Sequence, residues 1–294
     1  MPILGSQYLT ATQFKSLEAN GLDLSAWSDA QLDELLAAAS RLIDSYVNDT
    51  FAIQRYNDER LVWNMQSHRV YPIHRPIRFA ISLRLYFTEQ SIAEFDADEL
   101  FISRENYVAL TSFALLPQIS IIPALIGTGL KQVVAGLTYL AGYANLVSTT
   151  ATLAEAIDDT ETAWDVSDGT QFAVNDLIQV DAGDSKEEAV VDAIAGNTLT
   201  VIRNNPKTHI TGLAISKYQS AAPADVVTAT WLTAAHMIGQ QGLKAEGLTG
   251  LRQAVIGSYS ISVGEDSSSG GLPFVPDAAK AVLQNYRKIR LQGA

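Results

Sequence analysis

Four carboxylates, Asp181, Asp184, Glu187 and Glu188, crowd the stretch DAGDSKEE at residues 181–188. Hard cations are held by several oxygens converging from one loop, so this is where the chain is best suited to bind one. Its spacing matches no known calcium loop, and Lys186 sets a competing cation inside it; a plain acidic hairpin explains the run better. The four histidines, His68, His74, His209 and His236, show no H-E-x-x-H or paired-ligand spacing. His68 and His74 flank an expected turn, and surface or packing roles account for them. No cysteine occurs, which removes thiolate metal sites, disulfides and a cysteine nucleophile. There is no G-x-S-x-G elbow, and no serine has neighbours that would activate it. GTGLK at 127–131 lacks the spacing of a phosphate-cradling loop and reads as a turn. The sequence therefore predicts no catalytic residue, no cofactor and no metal. An enzyme built from dispersed carboxylates leaves no local signature and stays open as an alternative.

Charge narrows the partners. Residues 151–220 hold twelve acidic side chains against four basic ones, most of the chain's net charge of −12. Phosphate backbones reward clustered Lys and Arg, so this is a poor chain for gripping nucleic acid. The simplest reading of the excess is a solvated surface; the sharper one is a surface to which passing DNA does not stick. At 294 residues and 47% hydrophobic content, the chain has ample material for a core. The opening MPILGSQYLT does not read as a signal peptide. The longest apolar run, 113–126, is broken by Pro117, Gln118 and Pro123, so a soluble chain with no membrane partner is expected.

The elements that would position any site follow from hydrophobic period. Ser28 and Gln31 form an S-x-x-Q capping box ahead of Leu32, Leu35, Leu36, Ala39, Leu42, Ile43, Tyr46 and Val47, which predicts a helix ending near Asn48. A second helix is predicted over 223–241, with Val226, Val227, Thr230, Trp231, Ala234, Ala235 and Ile238 on one face, Pro223 at its start and Asp225 at the positive end of its dipole. A short helix is expected near 12–19 and a last one over 276–291. Between the long helices, 60–111 reads as short strands; Ile81, Leu83, Leu85 and Phe87 alternate strictly. Further strands are expected at 99–103, 107–111, 118–122 and 130–143. Residues 148–220 read as an inserted acidic β domain with strands at 163–167, 177–181, 188–194 and 198–203. Residues 244–257 read as connector, 258–263 as a strand and 264–273 as a mobile loop. The expected fold is α+β: a helical core of long helices packed on an antiparallel sheet, with the all-β insert and a C-terminal helix. The domain plan is an N-terminal arm at 1–27, a core of 28–147 with 221–294, and the insert at 148–220.

The order of these pieces carries a resemblance. AASRLIDSYVNDTF, a strand ending AGY, PADVVTATWLTAAHMI, GSYSISV and PDAAKAVLQNYRKIR together look like the head–tail connector, or adaptor, family of tailed bacteriophages. The insert, DVSDGTQFAVNDLIQVD onward, is similar to small β modules that recur in phage structural proteins. The resemblance implies a non-enzymatic neck protein of the virion, assembled in the host cytoplasm. It would form a dodecameric ring at the head–tail junction, bound beneath the portal protein and receiving the next neck or tail protein on its other face. DNA would pass through the lumen without specific binding. Portal-docking candidates implied on the last helix are Tyr286, Arg287, Lys288 and Arg290. The loop containing Gly264, Glu265, Asp266, Gly270 and Gly271 is the implied tether that orders on docking. Tyr286 reads equally well as core edge or as interface anchor. The competing reading is a virion or tail-associated module that recognises carbohydrate or protein through the β insert.

Overall fold

The computed structural model describes residues 7–17, 24, 27–64, 67–87, 90–111, 133–181, 183–245, 253–256, 259–262 and 275–287. Contacts divide the chain into two compact units, Met1–Phe51 with Ala221–Ala294, and Ala52–Ser220.

The first unit holds all the α-helices among the described residues: α1 (Ala11–Leu17), α2 (Asp29–Val47), α3 (Ala224–Ala245) and α4 (Asp277–Leu283). α2 starts as the capping box requires. Ser28 accepts from the Gln31 N–H, and the Gln31 side chain accepts in turn from the Ser28 N–H. It ends where Asn48 turns left-handed at φ 58°, one of the few residue types that tolerates this region. Substituting Ser28→Ala is expected to cost about 1 kcal/mol, read as a lower urea midpoint with an unchanged slope. Leu32, Leu35, Leu36 and Ala39 of α2 close a core with Leu9, Phe14, Ala234 and Ile238. Thr230 and Thr233 lie in the buried face of α3 by donating their hydroxyls to the Val226 and Ala229 carbonyls, each at 2.8 Å. His236 is buried on the same helix, and burial lowers its pKa, keeping the imidazole neutral. α4 stops at Leu283, short of the predicted 276–291, and the chain continues as a turn. Residues 253–256, read as connector, are strand β14 (Gln253–Ile256), paired antiparallel with β15 (Tyr259–Ser262).

Among its described residues the second unit is built of strands and holds no α-helix. β1 (Gln54–Val62), β3 (Ile77–Phe87), β4 (Gln90–Asp96) and β7 (Val134–Ala141) make a four-stranded antiparallel sheet in the order β1-β7-β3-β4. β2 (Arg69–Val70), β5 (Leu100–Ile102) and β6 (Val108–Leu110) make a three-stranded one. β8 (Ala144–Thr152), β9 (Ala163–Asp165), β10 (Leu177–Val180), β11 (Glu187–Ala195), β12 (Thr198–Arg203) and β13 (Ala214–Ser220) form a six-stranded sheet ordered β8-β13-β10-β11-β12-β9. One face of the four-stranded sheet packs Leu83, Leu85, Leu137 and Tyr139 against Leu100 and Val108 of the three-stranded sheet. Its other face sets Phe79, Ile81 and Leu140 against Leu177 and Val190 of the six-stranded sheet. The six-stranded sheet has a further core of its own around Trp164, Ile178, Val191 and Leu199. The ends of the unit meet: the Ile53 N–H donates to Ser220 Oγ at 3.0 Å, and β13 runs antiparallel to β8.

The expected helical core is therefore corrected. Among the described residues strand makes up 40% against 27% helix, and the sheets bury their faces on one another instead of on helices. A sheet face must be covered by something apolar, and here the covering layers are further strands. The alternation at Ile81, Leu83 and Leu85 also differs from its simple reading. Ile81 points to the six-stranded side and Leu83 and Leu85 to the opposite one. The register slips between Ala80 and Ser82, and one extra residue reverses the faces. The segment 148–220 folds within the six-stranded sheet, together with residues 144–147 of β8.

Candidate functional site

Of the docking residues predicted from sequence, Tyr286 and Arg287 are described; Lys288, Arg290 and the loop residues Gly264, Glu265, Asp266, Gly270 and Gly271 lie outside the described residues. Tyr286 is half-buried after α4, its ring edge-on to Phe51 with centroids 5.2 Å apart and its hydroxyl 3.4 Å from Asp225. Phe51 stacks edge-on in turn with Tyr8, whose hydroxyl donates to Asp44 and accepts from the Phe51 N–H. The Arg287 guanidinium lies 5.2 Å from the centre of the Tyr46 ring. Tyr286 and Arg287 thus tie the segment after α4 to the end of α2.

The carboxylates of Asp181, Glu187 and Glu188 do not converge. Glu187 and Glu188 are neighbours on β11, so their side chains leave opposite faces. Glu187 turns inward: Oε1 and Oε2 take a bidentate pair from Arg203 at 2.6 and 2.9 Å, and Oε2 also accepts from the Lys207 N–H and meets His209 Nε2, both at 2.9 Å. Arg203 spends its remaining N–H groups on the carbonyls of Asp158, Glu161 and Lys207. The side chains of Glu187, Arg203 and His209 are 1%, 4% and 0% exposed, a closed network that pins loops to the sheet and leaves no atom of the carboxylate for a ligand. Asp181 stays outside, 3.9 Å from Lys186. No group of three or more metal-ligating side chains gathers among the described residues. His68 and His74 go separate ways, His68 near Trp63 and His74 stacked at 3.9 Å on Tyr56. Tyr139 donates to Glu59 at 2.8 Å beneath that stack; burial first, and then the carboxylate, hold its phenol far above its ordinary pKa.

The arrangement that sequence reasoning missed is a cleft of about 480 Å³ in the β unit. β3, β5, β10, the start of β11 and the loop after β12 line it. Gln179 forms part of its wall and is 7% exposed. The Tyr218 hydroxyl donates to Glu188 and lies 3.2 Å from Gln179 Oε1. Burial and Glu188 both raise the Tyr218 pKa, so the phenol is neutral. The single proton of that hydroxyl can serve only one of the two oxygens, and Gln179 Nε2 has no partner among the described residues. A buried amide group without a partner costs about 1–3 kcal/mol. Arg78, whose Nε donates to the Gly142 carbonyl at 3.0 Å, and Lys186 bring two positive charges to the lining against the one negative charge of Glu188; Phe101 is 53% exposed. No local motif betrays this site, because its residues come from strands separated by the whole of β6 to β9. The one available signal was Gln179 itself, an amide among the apolar residues of LIQV.

No family model matches the chain, and no curated protein matches it. Among solved structures, it is similar to the Gp54 tailspike of Acinetobacter baumannii bacteriophage AP22, solved in complex with A. baumannii capsular saccharide. The identity is 18% and the TM-score 0.23, over 26% of this chain and 15% of the tailspike. A likeness of that size fixes neither fold nor role, and the match spans well under two thirds of the tailspike's length. No described helix is long and apolar enough to cross a membrane.

Proposed function

We propose that the chain is a non-enzymatic structural protein of a tailed-phage particle, a connector subunit that docks beneath the portal in a ring and leaves a channel for DNA. One observation carries this reading. α2, α3, β15 and α4, which hold most of the residues resembling the connector family, fall in one compact unit although residues 52–220 interrupt them. Segments so far apart in sequence form one core only where their apolar faces match, as Leu35 and Leu36 of α2 do with Ala234 and Ile238 of α3. The portal as partner, the dodecameric ring and the head–tail junction come from the resemblance. Gold-labelled antibody imaging of particles containing this protein tests the placement. Label is expected at the junction alone; label at the tail tip or fibres would overturn the connector role, and unlabelled particles would reopen the enzyme.

A second reading is a virion or tail-associated module that recognises its target through the β unit. It is favoured by the cleft, where a buried amide lacks a partner.

A further inference from the structure

We infer that the β unit carries both halves of a head-to-tail contact between copies of this chain: a basic aromatic knob around Tyr71 and Ile73, and an acidic depression around Ile210. The inference rests on the ring reading and names the surfaces that join neighbouring subunits.

The knob follows β2. Tyr71 and Ile73, 46% and 56% exposed, stand on either side of buried Pro72. The Tyr71 ring lies 5.7 Å from that of Tyr107, and the Arg69 guanidinium lies 4.3 Å over Tyr107. Arg75 is exposed, with its Nε on the Pro72 carbonyl. Arg55, Arg60 and Arg84 each pair with a carboxylate. Among the described residues Arg69 and Arg75 do not. Arg104 and Glu105, in the turn before Tyr107, cancel, and Glu59 lies mostly covered beneath, accepting from Tyr139 and the Ile73 N–H. Exposed tyrosine and arginine are the residue types that anchor protein interfaces.

The depression has the opposite character. Ile157 bridges His209, which sets the loop carrying Glu155, Asp158, Asp159 and Glu161 beside Ile210, 68% exposed. Ile210 and Leu213 line a hollow of about 360 Å³ with Asp181 on its wall. Five carboxylates there face two ammonium groups. Lys207 has its Nζ on the Lys186 carbonyl, and Lys186 lies 3.9 Å from Asp181.

An apolar knob with unpaired arginines matches an apolar hollow rimmed by carboxylates. No described ion pair joins the two surfaces within one chain, so a second copy is the partner that satisfies both. Either surface against itself would set like charges together, which disfavours a twofold dimer. Two different patches meeting make a heterologous contact, the kind that repeats from copy to copy and closes into a ring.

The chain has no cysteine, so single introduced thiols report the contact. Full-length Ile73→Cys and Ile210→Cys chains, mixed in equal amounts at high concentration in a glutathione redox buffer, are expected to give the mixed disulfide dimer well beyond random pairing. Arg75→Glu in the Ile73→Cys chain should slow it about fivefold, and raised salt should slow it too. Val174→Cys, exposed and on neither surface, supplies the background rate. Mixed dimer in the random proportion, at the Val174→Cys rate, or indifferent to Arg75→Glu would overturn the contact. Particle labelling judges the ring reading separately. Label at the junction without excess mixed dimer strikes this contact and leaves the ring, whereas excess mixed dimer with label elsewhere keeps the contact and strikes the connector.

Discussion

Arg203→Met is expected to destabilise the β unit by about 3–5 kcal/mol, the cost of leaving a buried charge without its partner. Glu187, 1% exposed, would keep only the His209 ring and the Lys207 N–H, and three carbonyls that Arg203 serves would lose their donor. Burial makes the loss large: a carboxylate with no water and no guanidinium must either take up a proton or drag solvent into the core. Urea unfolding followed by tryptophan emission gives the measurement, since Trp164 is fully buried with its ring 5.4 Å from the Arg203 guanidinium. The double change Arg203→Met with Glu187→Leu should recover part of the deficit, because it removes both charges. A single-variant midpoint within about 0.5 kcal/mol of the parent's, the range of ordinary surface changes, would show that the network contributes little.

Gly142→Ala is expected to be at least as damaging. Gly142 links β7 to β8 at φ +134°, a conformation L residues rarely adopt, and a Cβ there would come within 2.3 Å of the Ala52 carbonyl oxygen and 2.7 Å of the Ile53 Cα. These are backbone atoms and cannot swing aside. The residue is also held at both ends, its N–H donating to the Pro76 carbonyl and its own carbonyl accepting from Arg78. Backbone strain alone is worth about 1–3 kcal/mol, and relieving the overlap would pull β1 from β7. Soluble yield and urea midpoint should both fall sharply. Gly136→Ala makes the contrast: the first atom its Cβ meets is the Asp58 side chain, which can move, so a smaller loss is expected. Equal losses at the two positions would sink this account.

Helix signals were legible because they are local. Ser28, Gln31 and the leucines of α2 state start, face and end within one stretch, and the capping box forms as the spacing requires. Individual strands were legible too: β10 and β12 lie within a residue or so of their predicted spans. What covers a sheet was not. Leu83 and Leu85 announce an apolar face, yet only the slip between Ala80 and Ser82 decides which neighbour receives Ile81. β8 and β13 escaped notice because their residues are polar or exposed at intervals; as partners of each other they need little apolar content. The role of Glu187 was hidden for the same reason. In DAGDSKEE it is one more acidic residue, and Arg203 and His209, which bury it, lie on the far side of a hairpin. Gln179 is legible only as an oddity, a polar residue in an apolar strand.

The hydrogen bond from the Ile53 N–H to Ser220 Oγ has a consequence for synthesis on the ribosome. α2 leaves the ribosome long before α3, the helix that covers Leu35 and Leu36. Until then its apolar face is exposed and open to misassociation. The β unit is contiguous in sequence and can complete its sheets during that interval. When it does, the joined ends at 53 and 220 bring together the two chain segments that make the helix-bearing unit. Most of the loop-closure entropy for docking α3 on α2 has then already been met. The unit that interrupts the helices in sequence is thus also what lets them find each other quickly.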